Sequence, residues 1–343
     1  MKNLHRPIMV VNQFWSESDE GEGRSYTGVY GNVVRGMLHR AGIDRKECAF
    51  SSVFNFRPAG NKIDSCFATT PGDRIEMFRP LRNGKYIDKK YAPEIERLLE
   101  EIKRVKPNVI LALGELALWA ICKKSGIKKY RGSPIMSHCN RWKVIPTWDA
   151  PTLMAQWEEN VVAFSDYCKA RAESSFPELV RPERLIHLDP TIPDLYEFYE
   201  KYLRNAEYIS CDIETKMQTI TDVGFGPPGG KVALVIPFWD RSRPDGNYWR
   251  TAREEREAWR FVQMVVENHP TMGQNFSYDM SYFFRTMKIR CNHFVGDTML
   301  LHHSIQPELQ KGLGFLASVH TNEPSWKFMR QIHASDNVKK GDE

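Results

Sequence analysis

No two of the seven cysteines (48, 66, 122, 139, 168, 211 and 291) form a Cys-x-x-Cys pair. An odd, scattered set in a long chain argues against a disulfide framework and against a zinc or iron-sulfur cage. Nor does any apolar run approach the roughly eighteen residues of a membrane span. The start, Met1-Lys-Asn-Leu-His-Arg-Pro7, leads into a short apolar strand rather than a signal-peptide core. Internal repeats and low-complexity tracts are missing too. The expectation is a cytoplasmic protein with reduced cysteines and no membrane partner.

What is present fits two globular domains. The chain has 343 residues, 41% of them hydrophobic and 27% charged, which is too long for one ordinary core and too apolar for disorder. The net charge of +5 hides a split. Residues 1–172 carry 28 Lys and Arg against 19 Asp and Glu, whereas 173–343 carry 20 against 24. A basic first half attracts polyanions without specifying which.

Apolar runs at 8–11, 49–54, 109–113 and 144–145 alternate with helix-period stretches near 32–40, 94–105, 115–124 and 152–170. That alternation predicts a parallel sheet with helices on both faces over 1–172. The polar, proline-rich stretch 173–193 reads as a linker. Residues 194–343 then predict a helix at 194–203, an antiparallel meander at 207–213, 218–225 and 231–238, a helix at 252–267, and further helices near 277–287, 297–305 and 311–320. The overall fold class is α/β in two domains.

In Tyr208-Ile-Ser-Cys-Asp-Ile-Glu214 the strand period puts Ile209, Cys211 and Ile213 on one face and Asp212 and Glu214 together on the other. Two carboxylates so placed can share a divalent cation, although the same residues also fit a solvated strand edge. Downstream, Gly273-Gln-Asn-Phe-Ser-Tyr-Asp279 opens a helix that Ser277 could cap, with Asp279 in its first turn. Packed across the sheet, that helix would bring Asp279 to Asp212 and Glu214. Three such carboxylates repel one another unless metal neutralises them.

These segments, with Asp297-Thr-Met-Leu-Leu-His-His303, Pro307-Glu-Leu309 and Leu313-Gly-Phe-Leu-Ala-Ser318, resemble the 3'-5' exonuclease domain of family A DNA polymerases, particularly those of bacteriophages. The resemblance implies an RNase H-like fold over about 194–330. Asp212 and Glu214 would be the first exonuclease motif and Asp279 the second, together binding two Mg2+ or Mn2+ ions for phosphodiester hydrolysis at single-stranded 3' ends of a primer-template. It further implies that Thr215, Asn275 and Tyr278 lie near the terminal nucleotide. The family's third motif, Tyr-x-x-x-Asp, finds no match, since no Tyr follows Tyr282 and Ile332 precedes Asp336 at the tyrosine spacing. The expectation is that the chain stops before this motif and before a polymerase domain or subunit, in a phage-encoded protein working in the bacterial cytoplasm.

In the first half, Gly23-Arg-Ser-Tyr-Thr-Gly28 follows the first strand and could approach a phosphate. Together with Phe56-Arg-Pro-Ala-Gly-Asn61, Lys106-Pro-Asn-Val-Ile-Leu-Ala-Leu-Gly114, Tyr130-Arg-Gly132 and Val144-Ile-Pro-Thr-Trp148 it is similar to the uracil-DNA glycosylase superfamily over 8 to about 170. By that likeness Tyr26 takes the base-stacking position. The chemistry departs: Asn12-Gln13-Phe14 stands where relatives carry a water-orienting acid, Ser52 where they carry a uracil-reading Asn, and Asp149 where they carry a His. Phe56 also replaces a ligand of the iron-sulfur cluster found in some relatives. An anionic Asp149 opposes a uracil anion. The expected role is therefore DNA binding without excision, with Arg24, Lys128, Lys129 and Arg131 as phosphate contacts. Active base excision is the remaining alternative.

Overall fold

A computed structural model describes residues 5–75 and 78–323, and the sequence-expected remnant around Asp336 lies outside them. The chain divides into two compact units. Of the described residues, the first holds those from 5 to 180 and, unexpectedly, 314 to 323, while the second runs from Arg181 to Leu313.

In the first unit, β1 (Ile8–Phe14), β2 (Cys48–Phe54), β3 (Val109–Leu113), β4 (Ile135–Met136) and β5 (Lys143–Thr147) form one sheet in the order β2-β1-β3-β5-β4. All pairings are parallel except that of the short edge strand β4. Val109 to Leu113 are wholly buried, as a strand covered on both faces must be. Helices α1 (Glu17–Glu22), α2 (Gly28–Arg40), α3 (Ala92–Val105), α4 (Glu115–Cys122), α5 (Ile127–Tyr130), α6 (Ala150–Ala155) and α7 (Glu159–Glu173) connect and cover the strands. The single helix expected at 152–170 is two helices, because the chain leaves helical geometry at Gln156. All seven cysteines are free thiols.

In the second unit, β6 (Leu185–His187), α8 (Ile192–Phe198), β7 (Ile209–Lys216), β8 (Thr219–Gly226), β9 (Val232–Pro237), α9 (Ala252–Asn268), β10 (Thr271–Gly273), α10 (Ser277–Tyr282), β11 (Phe294–Asp297) and α11 (Thr298–Ile305) follow in order. The sheet order is β11-β10-β7-β8-β9-β6, with β8 antiparallel to both neighbours and the other pairs parallel. An antiparallel β7-β8-β9 meander extended by parallel β10 and β11 is the RNase H-like arrangement. Apolar residues of α9, among them Phe261, Val262 and Val265, form its core with Ile209, Val223 and Leu234.

Two boundaries differ from the sequence expectation. Within the proposed linker, Leu185 to His187 pair with Val232 to Leu234 and join the sheet. The final helix, α12 (Leu313–His320), falls within the second domain of the sequence expectation, yet from Gly314 it packs with the first unit. Its Leu316 and Ala317 are buried. Arg131 Nη2 donates to Ser318 Oγ at 2.6 Å, and Lys169 Nζ donates to the Ser318 carbonyl at 2.6 Å. Such contacts join residues far apart in sequence and leave no local signature.

Candidate active site and glycosylase-like pocket

On β7 the expected alternation holds: Ile209, Cys211 and Ile213 are buried, and Asp212 and Glu214 are exposed. Asp279 sits in the first turn of α10, only 3% exposed. Its Oδ1 accepts the Ile213 backbone N–H at 2.9 Å, so the carboxylate is seated on the strand between Asp212 and Glu214. Burial, with the charges of Asp212 and Asp297 adding to it, pushes Asp279 up to about 6 despite that hydrogen bond. Glu214 faces Asp222 across the β7-β8 ladder, and burial together with Glu214 raises Asp222.

The structure thus brings Asp279 to Asp212 but does not close the expected cradle. Among the described residues, no three His, Cys, Asp or Glu side chains gather closely enough to hold a metal ion. Asp212 and Asp279 lie near enough for the charge of the first to act on the second. They are a chemically suitable pair for Mg2+, which commonly takes one or two protein carboxylates and completes its octahedron with water and substrate phosphate.

The turn carrying Asp279 is held by a residue whose role the sequence did not expose. Asp297, at the end of β11, accepts the Asn275 and Phe276 N–H groups at 3.0 and 2.8 Å and also caps α11 through Met299 N at 2.8 Å. Ser277, expected as the cap of α10, is instead its first helical residue, and Asp297 supplies the acceptors. Asn275 adopts a left-handed φ of 54°. Gly273 leaves room for the fully buried Phe276, whose ring a Cβ there would meet at 2.2 Å. Thr215 and Tyr278 meet with hydroxyls 2.7 Å apart, beside the carboxylates. The Tyr278 and Tyr282 rings are 4.7 Å apart.

In the first unit, a cavity of about 170 Å³ opens beyond β1, lined by residues that include Asn12, Gln13, Asn61 and Asp149. Gln13 bridges it, donating to Asp149 Oδ2 while its Oε1 accepts Leu116 N at 3.0 Å. Gly114 permits this, because a Cβ there would meet the Gln13 amide carbon at 2.7 Å. Asp149 also caps α6 through Thr152 N at 3.1 Å. Ser52 is fully buried and pairs with Ser25, their oxygens 2.9 Å apart. Among the described residues, no histidine lines the cavity.

Three expectations here need correction. Tyr26 is buried in the core, its hydroxyl 2.9 and 3.0 Å from the carbonyls of Val10 and Ser51, and so offers no open stacking face. The Gly23–Gly28 loop is closed on Asp19, whose Oδ1 accepts Thr27 N and Oγ1 at 2.7 and 2.8 Å. An anion already fills the place where a phosphate would sit. Arg131 is not a surface cation but is buried against Asp166 at 3.2 Å. Arg24 is exposed and paired with Glu22 at 2.7 Å. Lys128 is exposed and Lys129 half-buried.

Residues 3–173 match the model of the uracil DNA glycosylase superfamily. The Type-4 uracil-DNA glycosylase of Thermotoga maritima is 29% identical over 154 residues, covering 44% of this chain and 68% of that protein. Solved structures similar to the chain include Trypanosoma brucei RNase D in complex with RNA U12, at 13% identity and a TM-score of 0.34 over 43% of this chain and 51% of that one. Escherichia coli RNase D, an exoribonuclease, is similar at 13% identity and a TM-score of 0.30 over 43% and 35%. The chain therefore spans about half the length of the trypanosome protein. Residues 3–173 are thus similar to the uracil-DNA glycosylase superfamily.

Proposed function

We propose that this chain is the N-terminal part of a phage family A DNA polymerase, in which the second unit removes nucleotides from DNA 3' ends and the glycosylase-like domain holds DNA without excising bases. The observation that carries the nuclease reading is the seating of the Asp279 carboxylate on Ile213 N–H, beside Asp212. Asp212 and Asp279 would hold a divalent Mg2+ or Mn2+, which when bound supplies an activated water and neutralises charge at the phosphate. The chain's own residues do the positioning. Asp297 fixes the turn, and the Thr215 and Tyr278 hydroxyls, which meet each other, would contact the terminal nucleotide. In the first unit the Gln13–Asp149 pair occupies the pocket with a carboxylate that opposes a leaving base anion.

A second reading, a DNA-binding chain with an inert nuclease, is favoured by one observation: no three carboxylates gather among the described residues. The two separate on a 5'-labelled single-stranded oligonucleotide incubated with Mg2+ or Mn2+. A ladder shortening from the 3' end, lost in EDTA, supports hydrolysis. Binding that weakens steeply with salt but yields no ladder supports the second reading. Abasic sites on a uracil-containing strand would overturn the noncatalytic assignment of the first unit.

A further inference from the structure

At the side of the second unit a cavity of about 1160 Å³ opens between the turn at 190–193, the loop at 240–250 and the first turn of α9. That volume slightly exceeds the roughly 300–1,000 Å³ usual for small-ligand sites. Arg243, Tyr248, Trp249, Arg250 and Arg253 contribute to its wall. The carboxylates that also reach it are engaged within the fold. Asp240 accepts Ser242 N and Oγ, both at 2.8 Å. Glu254 accepts Thr251 N and Oγ1 at 3.0 and 3.1 Å in a capping box. Glu257 accepts the Tyr196 hydroxyl at 2.8 Å and lies 3.3 Å from Arg260. Arg250 and Arg253, by contrast, are exposed. Tyr248 and Trp249 meet edge to face at 5.1 Å, and the buried Trp249 indole N–H has no acceptor among the described residues.

The cavity shares an end of the sheet with the carboxylates. Strands β7 and β9 both run antiparallel to β8, so the loop after β9 leaves the sheet at the end where Glu214, Thr215 and Lys216 lie. Lys216 Nζ stands 3.9 Å from the Trp239 ring centre, and the Arg241 guanidinium is 5.2 Å from it on the same loop. Cations interleaved with aromatic rings, leading from the carboxylate strand to a roomy cavity, match the physical requirements of single-strand binding.

We propose that this cavity is a nucleotide subsite, taking a base-and-phosphate unit several nucleotides upstream of the 3' end. Its placement on a strand rests on the nuclease reading above, whereas its chemistry does not. A free nucleoside monophosphate offers the same chemistry, and the test separates the two sources.

Binding of fluorescent oligo(dT) of three and of ten nucleotides is measured by anisotropy in EDTA, so that cleavage plays no part, with dTMP as competitor. The exposed pair Arg250→Ala/Arg253→Ala should weaken the ten-mer about tenfold and make its salt slope shallower by about 1.4, from roughly 0.7 per phosphate contact on a single strand. Trinucleotide affinity should stay unchanged, and Arg250→Lys/Arg253→Lys should restore the ten-mer. Unchanged ten-mer binding in the alanine variant overturns the proposal, as does an equal loss with the trinucleotide. Loss of dTMP binding alone assigns the cavity to free nucleotides and overturns its place on the strand. If the length-dependent loss occurs but the intact chain shows no metal-dependent cleavage, the nuclease reading fails and the subsite stands.

Discussion

Asp279 and Ile213, 66 residues apart in the chain, are joined by a 2.9 Å hydrogen bond from the strand N–H to the carboxylate, which fixes the start of α10 against β7. Replacing Asp279 with Asn keeps an acceptor for that N–H and removes the charge. Cleavage should fall by about 10²–10³-fold, the several kcal/mol of transition-state charge stabilisation at stake in metal-assisted hydrolysis, with little change in melting temperature. Asp279→Ala should lose activity and also about 1–3 kcal/mol of stability, because Ile213 N–H is left buried without an acceptor. Thermal melts beside cleavage assays distinguish the two variants.

Asp297 accepts three backbone N–H groups and is 3% exposed. Asp297→Ala should destabilise the second unit by about 2–4 kcal/mol, from the unsatisfied donors of the turn and the lost helix cap. Asp297→Asn keeps one acceptor oxygen and should cost less. Urea denaturation with a probe in the second unit measures the difference, and equal stability of Asp297→Ala and the parent would contradict the role given to this residue.

Asp149 caps α6 and receives the Gln13 amide. Asp149→Ala should cost about 1 kcal/mol in the first unit, the usual worth of a cap, and should not create uracil release. Alkaline cleavage of uracil-containing single strands reads the second point, and strand breaks at uracil in either protein would show that the pocket retains excision chemistry.

Burial pushes Asp166 up to about 6, against the pull of Arg131 and Thr147. An acid raised in the folded state adds stability that is fully present below its ordinary 3.8 and is lost as pH rises through 6. The stability of the parent relative to Asp166→Asn should therefore fall between pH 4 and 6 and level off above about 7. Denaturation of both proteins across that range tests the sign. A rise instead would mean that the Arg131 ion pair outweighs the burial.

Features set by local periodicity were legible before the structure. The alternation of Ile209 to Glu214 and the place of Asp279 in the first turn of a helix follow from side-chain geometry within one element. Features set by contacts across the fold were not. Nothing near Arg131 in the chain announces Asp166, and the polar flanks of Leu185 to His187 hide a strand that exists because β9 offers it an edge. Tyr26 illustrates the same limit at a site. Its position in the loop matched a base-stacking pattern, while its ring went to the core because two strand carbonyls were there to take its hydroxyl.

The most direct measurement is the product released from a 3'-labelled DNA strand by the full chain and by Asp212→Ala, with Mg2+, with Mn2+ and with EDTA. The account predicts metal-dependent release of mononucleotides from the 3' end by the parent and loss of that release in the variant. Undiminished release by Asp212→Ala, or none by the parent with either metal, would contradict it.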